Sequence, residues 1–330
     1  MSHTTQNANV RGAAYALTGF AIFSTHDVFI KFLGGFYAPF QIIFFFTLFQ
    51  FPVITLMLMR DPTDGNLIPK HPWLVLLRTA LAVITAACVF YAFSVLPMAQ
   101  TYAIIFASPL LITLLAIPVL GEQVGWRRSL AIFVGLIGVI VVLNPGTTAF
   151  SAGHLAALCG AGCSAGAAVI MRKIGSEERS AVLLLYPMMA NFILMGCMMP
   201  FVYQPMPLYH LIGTALVAIF GFVAAMFHIM AYRTASAGVV APMQYSQIIW
   251  AVIFGYFFFS ETADWNTAVG SVIIIASGVY IVFREETKSV PGKSPVLNTR
   301  SRFVPGTMPR ISQLSGLIKN GVQAARKNGS

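Results

Sequence analysis

The segment STHDVFIK sets an imidazole, a carboxylate and an ammonium within two helical turns of one another, at His26, Asp27 and Lys31. Ionisable groups inside apolar sequence are costly to bury, so each is a candidate for function. Asp27 and Lys31 stand four apart on one face of a helix. They read either as an ion pair near the outer membrane interface or as a binding or proton-coupling element. The richest polar stretch is PMQYSQIIW, where Gln244 and Gln247 face the same way and Tyr245 and Trp250 add aromatic surfaces. Its amides either bond neighbouring helices or hold a ligand. His228, just before Tyr232 and Arg233, carries the same two alternatives. Tyr91 and Tyr102 flank a tight loop and belong either to an interfacial belt or to the wall of a cavity. Arg78 sits a turn and a half inside an apolar run, and its stem is expected to reach water at the cytoplasmic side.

These groups suit binding and movement of a solute better than covalent chemistry. The sequence holds no Walker-type phosphate loop and no ligand set for a redox centre or metal, so no cofactor is expected and the chain does not read as an enzyme. Cys88, Cys159, Cys163 and Cys197 all fall in apolar stretches, at spacings that suit neither zinc nor a disulfide framework. They read as packing residues. Any energy for work must come from a gradient or from the solute itself.

The elements that position these residues are membrane-spanning helices. Apolar residues make up 58% of the 330 positions and charged residues 9%, far from the balance of a soluble domain. Ten runs are long enough to cross the hydrocarbon, near Gly12–Lys31, Pro39–Met59, Trp73–Phe93, Met98–Leu120, Arg127–Leu143, Gly153–Arg172, Ala181–Met199, Leu208–Tyr232, Gly238–Phe259 and Asn266–Phe283. The net charge of +10 does not indicate nucleic acid, because counting alternate sides puts every Lys and Arg except Lys31 on one face. That asymmetry predicts an inner-membrane protein with both termini cytoplasmic. The first ten residues lack the basic region of a cleaved signal, so the first run is expected to stay in the protein.

Sliding the chain by 139 residues superposes Glu122 on Glu261, Trp126 on Trp265, Ala92 on Ala231 and Ala86 on Ala225; an offset of 141 pairs Gly12 with Gly153 and Lys31 with Arg172. Each half holds five spans, so the second copy is expected upside down relative to the first. Inverted repeats place a solute site between the halves and expose it alternately by rocking. The same offset pairs Gln247 with Ser108 and Tyr245 with Phe106, so both halves offer similar positions to a shared cavity. Pro109, Pro118 and Pro242 are placed to kink helices. Gly135, Gly138, Ser271 and Gly278 read as points of close helix approach.

The segments FYAFSVLPMAQTYAIIFASPLLITLLAIPVLGEQVGWRRSLAIFVGLIGVIVVLNPG and AYRTASAGVVAPMQYSQIIWAVIFGYFFFSETADWNTAVGSVIIIASGVYIVFRE carry several features in register. On them the chain resembles the EamA-type members of the drug/metabolite transporter superfamily, over about Gly12 to Arg284. The resemblance implies an all-α integral membrane fold, a cytoplasmic segment 1–11, five-helix repeats over 12–143 and 153–284, and a basic tail over 285–330. It also implies a secondary transporter of a small organic metabolite. Two departures bear on the site: an arginine frequent in the second span is Phe46 here, and an acidic residue frequent at the start of the fourth is Gln100.

The paired aromatic and amide groups suit a planar polar solute, since rings stack on it and amides bond its edges. Flavin uptake is the specific expectation, with export of amino acids or their metabolites as the alternative; a membrane scaffold or sensor would need no polar cavity. The expected partners are the solute and lipid, with oligomeric state left open. The tail is expected to be mostly disordered; its stretch ISQLSGLIKNGVQAAR reads either as a basic amphipathic helix suited to anionic lipid or as more of the solvated tail.

Overall fold

The computed structural model describes residues 3–59, 67–121, 125–144, 151–175, 177–235 and 237–287. The basic tail and Glu122 lie outside the described residues. Helices make up the described fold: α1 (His3–Gly34), α2 (Pro39–Met59), α3 (Pro72–Val95), α4 (Met98–Ile105), α5 (Ser108–Leu120), α6 (Trp126–Leu143), α7 (Ala152–Ile174), α8 (Ser180–Val202), α9 (Leu208–Thr234), α10 (Ala237–Val240), α11 (Ser246–Phe259) and α12 (Trp265–Thr287). Six stretches are long and apolar enough to cross a membrane: Asn9–Gly34, Pro72–Val95, Met98–Leu120, Ala152–Ile174, Ala181–Val202 and Leu208–Thr234. Pro39–Pro52, Ser129–Leu143 and Trp265–Ile281 are shorter apolar helices. Large apolar side chains such as Phe201, Phe257 and Phe133 face outward, as a surface solvated by lipid requires. This is a multi-pass membrane protein.

Two runs expected as single helices are broken. Met98–Leu120 divides into α4 and α5 at Phe106–Ala107, and the run near Gly238–Phe259 divides into α10, a 3-10 turn (Ala241–Tyr245) and α11. Each break carries a proline in the first turn of the segment that follows, Pro109 in α5 and Pro242 in the 3-10 turn. A proline has no amide hydrogen for the preceding turn and crowds its carbonyl, so a helix restarts there more easily than it continues. The two breaks fall at matching places in the repeat. They bring Tyr102, Phe106, Gln244 and Tyr245 toward the centre, all four nearly or fully buried.

The halves are interleaved. α1 packs on α9, while its repeat mate α7 packs on α3; α2 meets α8, and α6 meets α12. Along α1 and α9 the contacts run antiparallel, from Gly12 against Ala235 through Gly19 against His228 to Gly221 against His26. Along α7 and α3 they repeat the pattern, from Gly153 against Val95 and Leu96 to Gly160 against Val89 and Cys88. The Gly12–Gly153 match in the sequence therefore marks two equivalent close approaches between halves.

α6 and α12 meet backbone to backbone, where a Cβ at Gly270 would lie 2.6 Å from the carbonyl oxygen of Gly138 and 3.0 Å from the amide nitrogen of Val142. A Cβ at Gly135 would also meet the Ser277 hydroxyl, and one at Gly278 would overlap the Tyr245 hydroxyl, but both of these neighbours are side chains. Backbone cannot move aside as a side chain can. Gly270→Ala is therefore expected to cost about 1–3 kcal/mol of stability. Gly162→Ala, where a Cβ meets nothing within 4 Å, is expected to cost nothing measurable. Denaturation midpoints of the two purified variants check the contrast, and equal midpoints would refute it.

Side-chain bonds tie loops together at both ends of the bundle. At one end the Tyr37 hydroxyl meets His210 Nδ1 at 2.6 Å, and Gln41 and Gln204 exchange two bonds, Nε2 to the Gln204 carbonyl at 2.7 Å and the Gln204 amide to Oε1 at 2.9 Å. At the other end His71 Nε2 lies 2.6 Å from Glu177 Oε2, and the His71 amide donates to Glu178 Oε1 at 2.5 Å. Arg78 belongs to this second end but does not reach water as expected. It is 2% exposed and donates from Nη1 to the Leu183 carbonyl at 2.7 Å. The Leu183 carbonyl, in the first turn of α8, takes the guanidinium inside the bundle instead.

Candidate functional site

α1 is antiparallel to α9 and also touches α3 and α11, and this position brings Asp27 beneath the break that ends α4. The carboxylate is 4% exposed. Its Oδ1 lies 2.7 Å from His26 Nδ1, and its Oδ2 accepts a short hydrogen bond from the Tyr102 hydroxyl. Gln247 Nε2 donates to the Tyr102 oxygen at 3.4 Å. A carboxylate, an imidazole, a phenol and an amide from both halves thus form one chain, and His26 is the one ion-pair partner of Asp27 among the described residues.

Aromatic rings enclose this chain. Phe23 stands edge-on to His26 at 5.8 Å between ring centroids and stacks on His228 at 5.4 Å; Phe20 approaches His228 to 4.3 Å. Phe46 turns its edge to His26 at 5.8 Å. Phe93 and Phe106 flank Tyr102 at 5.2 Å and 5.7 Å. His228 Nε2, Gln244 Nε2 and Gln247 Oε1 are buried polar atoms with no hydrogen-bond partner among the described residues. Unpartnered groups of this kind are unfavourable in a finished core. A bound solute can satisfy them.

Lys31 does not pair with Asp27. Its Nζ lies 2.7 Å from Glu261 Oε1 and donates to the Leu96 carbonyl at 2.6 Å, above the Phe259 ring. Glu261 Oε2 accepts the Met98 amide at the start of α4, at 2.8 Å. The four-residue spacing made the local pair conceivable, but the ammonium lies over carbonyls that end α3, and the first turn of α4 offers an amide to the same carboxylate. Lys31 is thereby a latch between halves.

The other expected residues are spread around this centre. Tyr245 packs edge-on to Phe106 at 5.3 Å, with its hydroxyl against Gly278. Ser108 donates to the Ala161 carbonyl at 3.1 Å, so its hydroxyl is used between helices. Trp250 is half-buried and tilts against Phe254 at 5.6 Å, and Tyr91 is half-buried near the end of α3. Sequence reasoning passed over Phe20, Phe23 and the role of Glu261. A signal for Glu261 was present: Lys31 is the lone cation on its face, and Glu261 belongs to a loop on that face.

A model of the EamA-like transporter family matches twice, over residues 10–144 and 151–284. The chain is 26% identical over 289 residues to an S-adenosylmethionine uptake transporter of Rickettsia prowazekii, covering 86% of this chain and 96% of the relative. It is 26% identical to a riboflavin transporter of Brucella anthropi, over 72% of this chain and 86% of that protein. It is also 26% identical to solute carrier family 35 member G1 of Homo sapiens, over 83% and 79%. A crystal structure with 17% identity shares the fold, with a TM-score of 0.57 over 86% of this chain and 99% of the other. Two family matches that fall on the two interleaved halves and together span most of the residues place the chain in the EamA-like transporter family, as a small-metabolite transporter of the drug/metabolite superfamily.

Proposed function

We propose that the chain is a secondary carrier that moves a positively charged, ring-bearing metabolite across a bacterial-type inner membrane by alternating access. The path has ten crossings, in two inverted five-helix halves with both termini cytoplasmic. The bonded loops support this reading: those at residues 35–41 and 203–210 meet at one end, and those near 71 and 177 at the other, so successive helices alternate in direction. Every Lys and Arg but Lys31 belongs to the second end or the tail by this path.

The observation that carries the solute class is Asp27. A carboxylate held by a histidine and a tyrosine, walled by Phe23, Phe46 and Phe93 and without a Lys or Arg partner among the described residues, needs positive charge when the site is closed. A proton can supply it, and so can a cationic solute stacked on the rings. S-adenosylmethionine, the solute named for the Rickettsia relative, joins a sulfonium to a flat adenine and suits both features. Riboflavin is the second reading; its flat ring suits the aromatic walls and its edges suit Gln244 and Gln247, with Asp27 then carrying a proton.

Uptake of radiolabelled S-adenosylmethionine into proteoliposomes separates the two. Saturable uptake that unlabelled S-adenosylmethionine suppresses and riboflavin leaves unchanged is the expected outcome. Saturable riboflavin uptake without S-adenosylmethionine uptake would replace the first reading by the second, and transport of neither would remove both.

A further inference from the structure

At the end of the bundle that holds Lys31, a cavity of about 240 Å³ opens between the starts of α4, α7 and α12 and the last half of α11; its wall includes Gln100, His154, Gly255, Glu261, Asp264 and Thr267. None of the residues nominated from the sequence as a solute or coupling site lines it. Residues from both halves do.

Thr267 is the informative member. It is 2% exposed, in the first turn of α12, and its hydroxyl has no partner among the described residues. Its amide donates to Asp264 Oδ1 at 3.3 Å, so Asp264 caps α12 while keeping its second oxygen available. Gln100 contributes an amide whose Nε2 makes a long 3.5 Å approach to the Val142 carbonyl. His154 is tied by Nδ1 to the Ser151 amide at 3.1 Å, which fixes the first turn of α7 at the cavity. Two carboxylates therefore stand on the wall together with hydrogen-bond donors and the starts of three helices, whose dipoles favour negative charge. The lining calls for both signs on one ligand. The volume is below the range of about 300–1,000 Å³ usual for drug-sized sites, and matches an amino-acid-sized group.

We infer that this cavity is a docking site for the α-amino-acid group of a solute, distinct from the cluster around Asp27. The ammonium faces Asp264 and Glu261; the carboxylate takes the Thr267 hydroxyl and the Gln100 amide. Because Glu261 is also the partner of Lys31, an ammonium seated here competes for the carboxylate that latches the two halves, so occupancy at the mouth loosens the contact that closes it.

The test uses the full chain in nanodiscs with L-norleucine, pentylamine and hexanoate, three probes that share an alkyl chain and carry both charges, the positive one or the negative one. A saturable rise in melting temperature with norleucine is expected, with half-saturation at least about tenfold higher for either singly charged probe. Thr267→Val, which keeps the side-chain shape, and Asp264→Asn, which keeps the helix cap, should each weaken norleucine about tenfold. The inference is overturned by the absence of a saturable rise, by an equal response to all three probes, or by wild-type norleucine binding in both variants. It is also overturned if binding is lost in Asp27→Asn while Thr267→Val is unaffected, since the ligand then sits at the central cluster.

Discussion

Asp27→Asn is expected to lower solute uptake roughly a hundredfold while leaving the folded protein intact. The carboxylate is buried and shared between His26 and Tyr102, and loss of a charge-assisted contact costs about 1.5–3 kcal/mol, whose upper end is about a hundredfold. The asparagine keeps the shape and can still bond the Tyr102 hydroxyl, so the loss falls on the charged partner, whether a proton or a cationic solute. Asp27→Glu should retain more activity than Asp27→Asn because it keeps the charge. Initial rates in proteoliposomes, compared at equal amounts of monodisperse protein, measure this. Uptake within threefold of wild type in Asp27→Asn would remove the carboxylate from the mechanism. Tyr102→Phe provides a second arm: it strips the hydroxyl from Asp27 and from Gln247 together, so a defect smaller than that of Asp27→Asn is expected.

The second large effect falls on stability. Glu261→Ala leaves the Lys31 ammonium buried at the joint and the Met98 amide without its acceptor. Both side chains are mostly buried, at 10% and 19% exposure, so solvent screens the pair weakly. A loss of about 3–5 kcal/mol follows from breaking such a pair. Replacing both partners, as in Lys31→Met with Glu261→Met, is expected to cost less than Glu261→Ala alone, because no charge is stranded. Unfolding midpoints of the single and double variants decide the point. A double variant less stable than the single would show that the pair contributes beyond mutual neutralisation.

Much of the scaffold could be read from the sequence, because lipid imposes strong rules on composition. The apolar runs are a long-range consequence of burying backbone in hydrocarbon, and the duplicated Gly12 and Gly153 fall at equivalent close approaches. The partners of polar groups were harder. Lys31 and Asp27 stand four apart in sequence, yet each is claimed by a residue distant along the chain, Glu261 in a loop for one and Tyr102 in α4 for the other. Local spacing says which groups can meet, whereas the tertiary fold decides which do. Trp250 and Ser108 show the same dependence on the fold: residue type and face nominated both, and their contacts with Phe254 and the Ala161 carbonyl could be located only in the packed bundle. The helix breaks lay between, since Pro109 and Pro242 marked where a kink was possible and only the packed bundle fixed its form.

The exchange of first helices, with α1 resting on α9 and α7 on α3, bears on how the protein is made. A ribosome releases α1 long before its neighbour exists, so the nascent amino-terminal portion must wait in the bilayer with the glycine faces of Gly12 and Gly19 uncovered. Two fragments cut in the stretch 145–150 should accordingly be short-lived when synthesised singly and become protease-resistant when produced in the same cell.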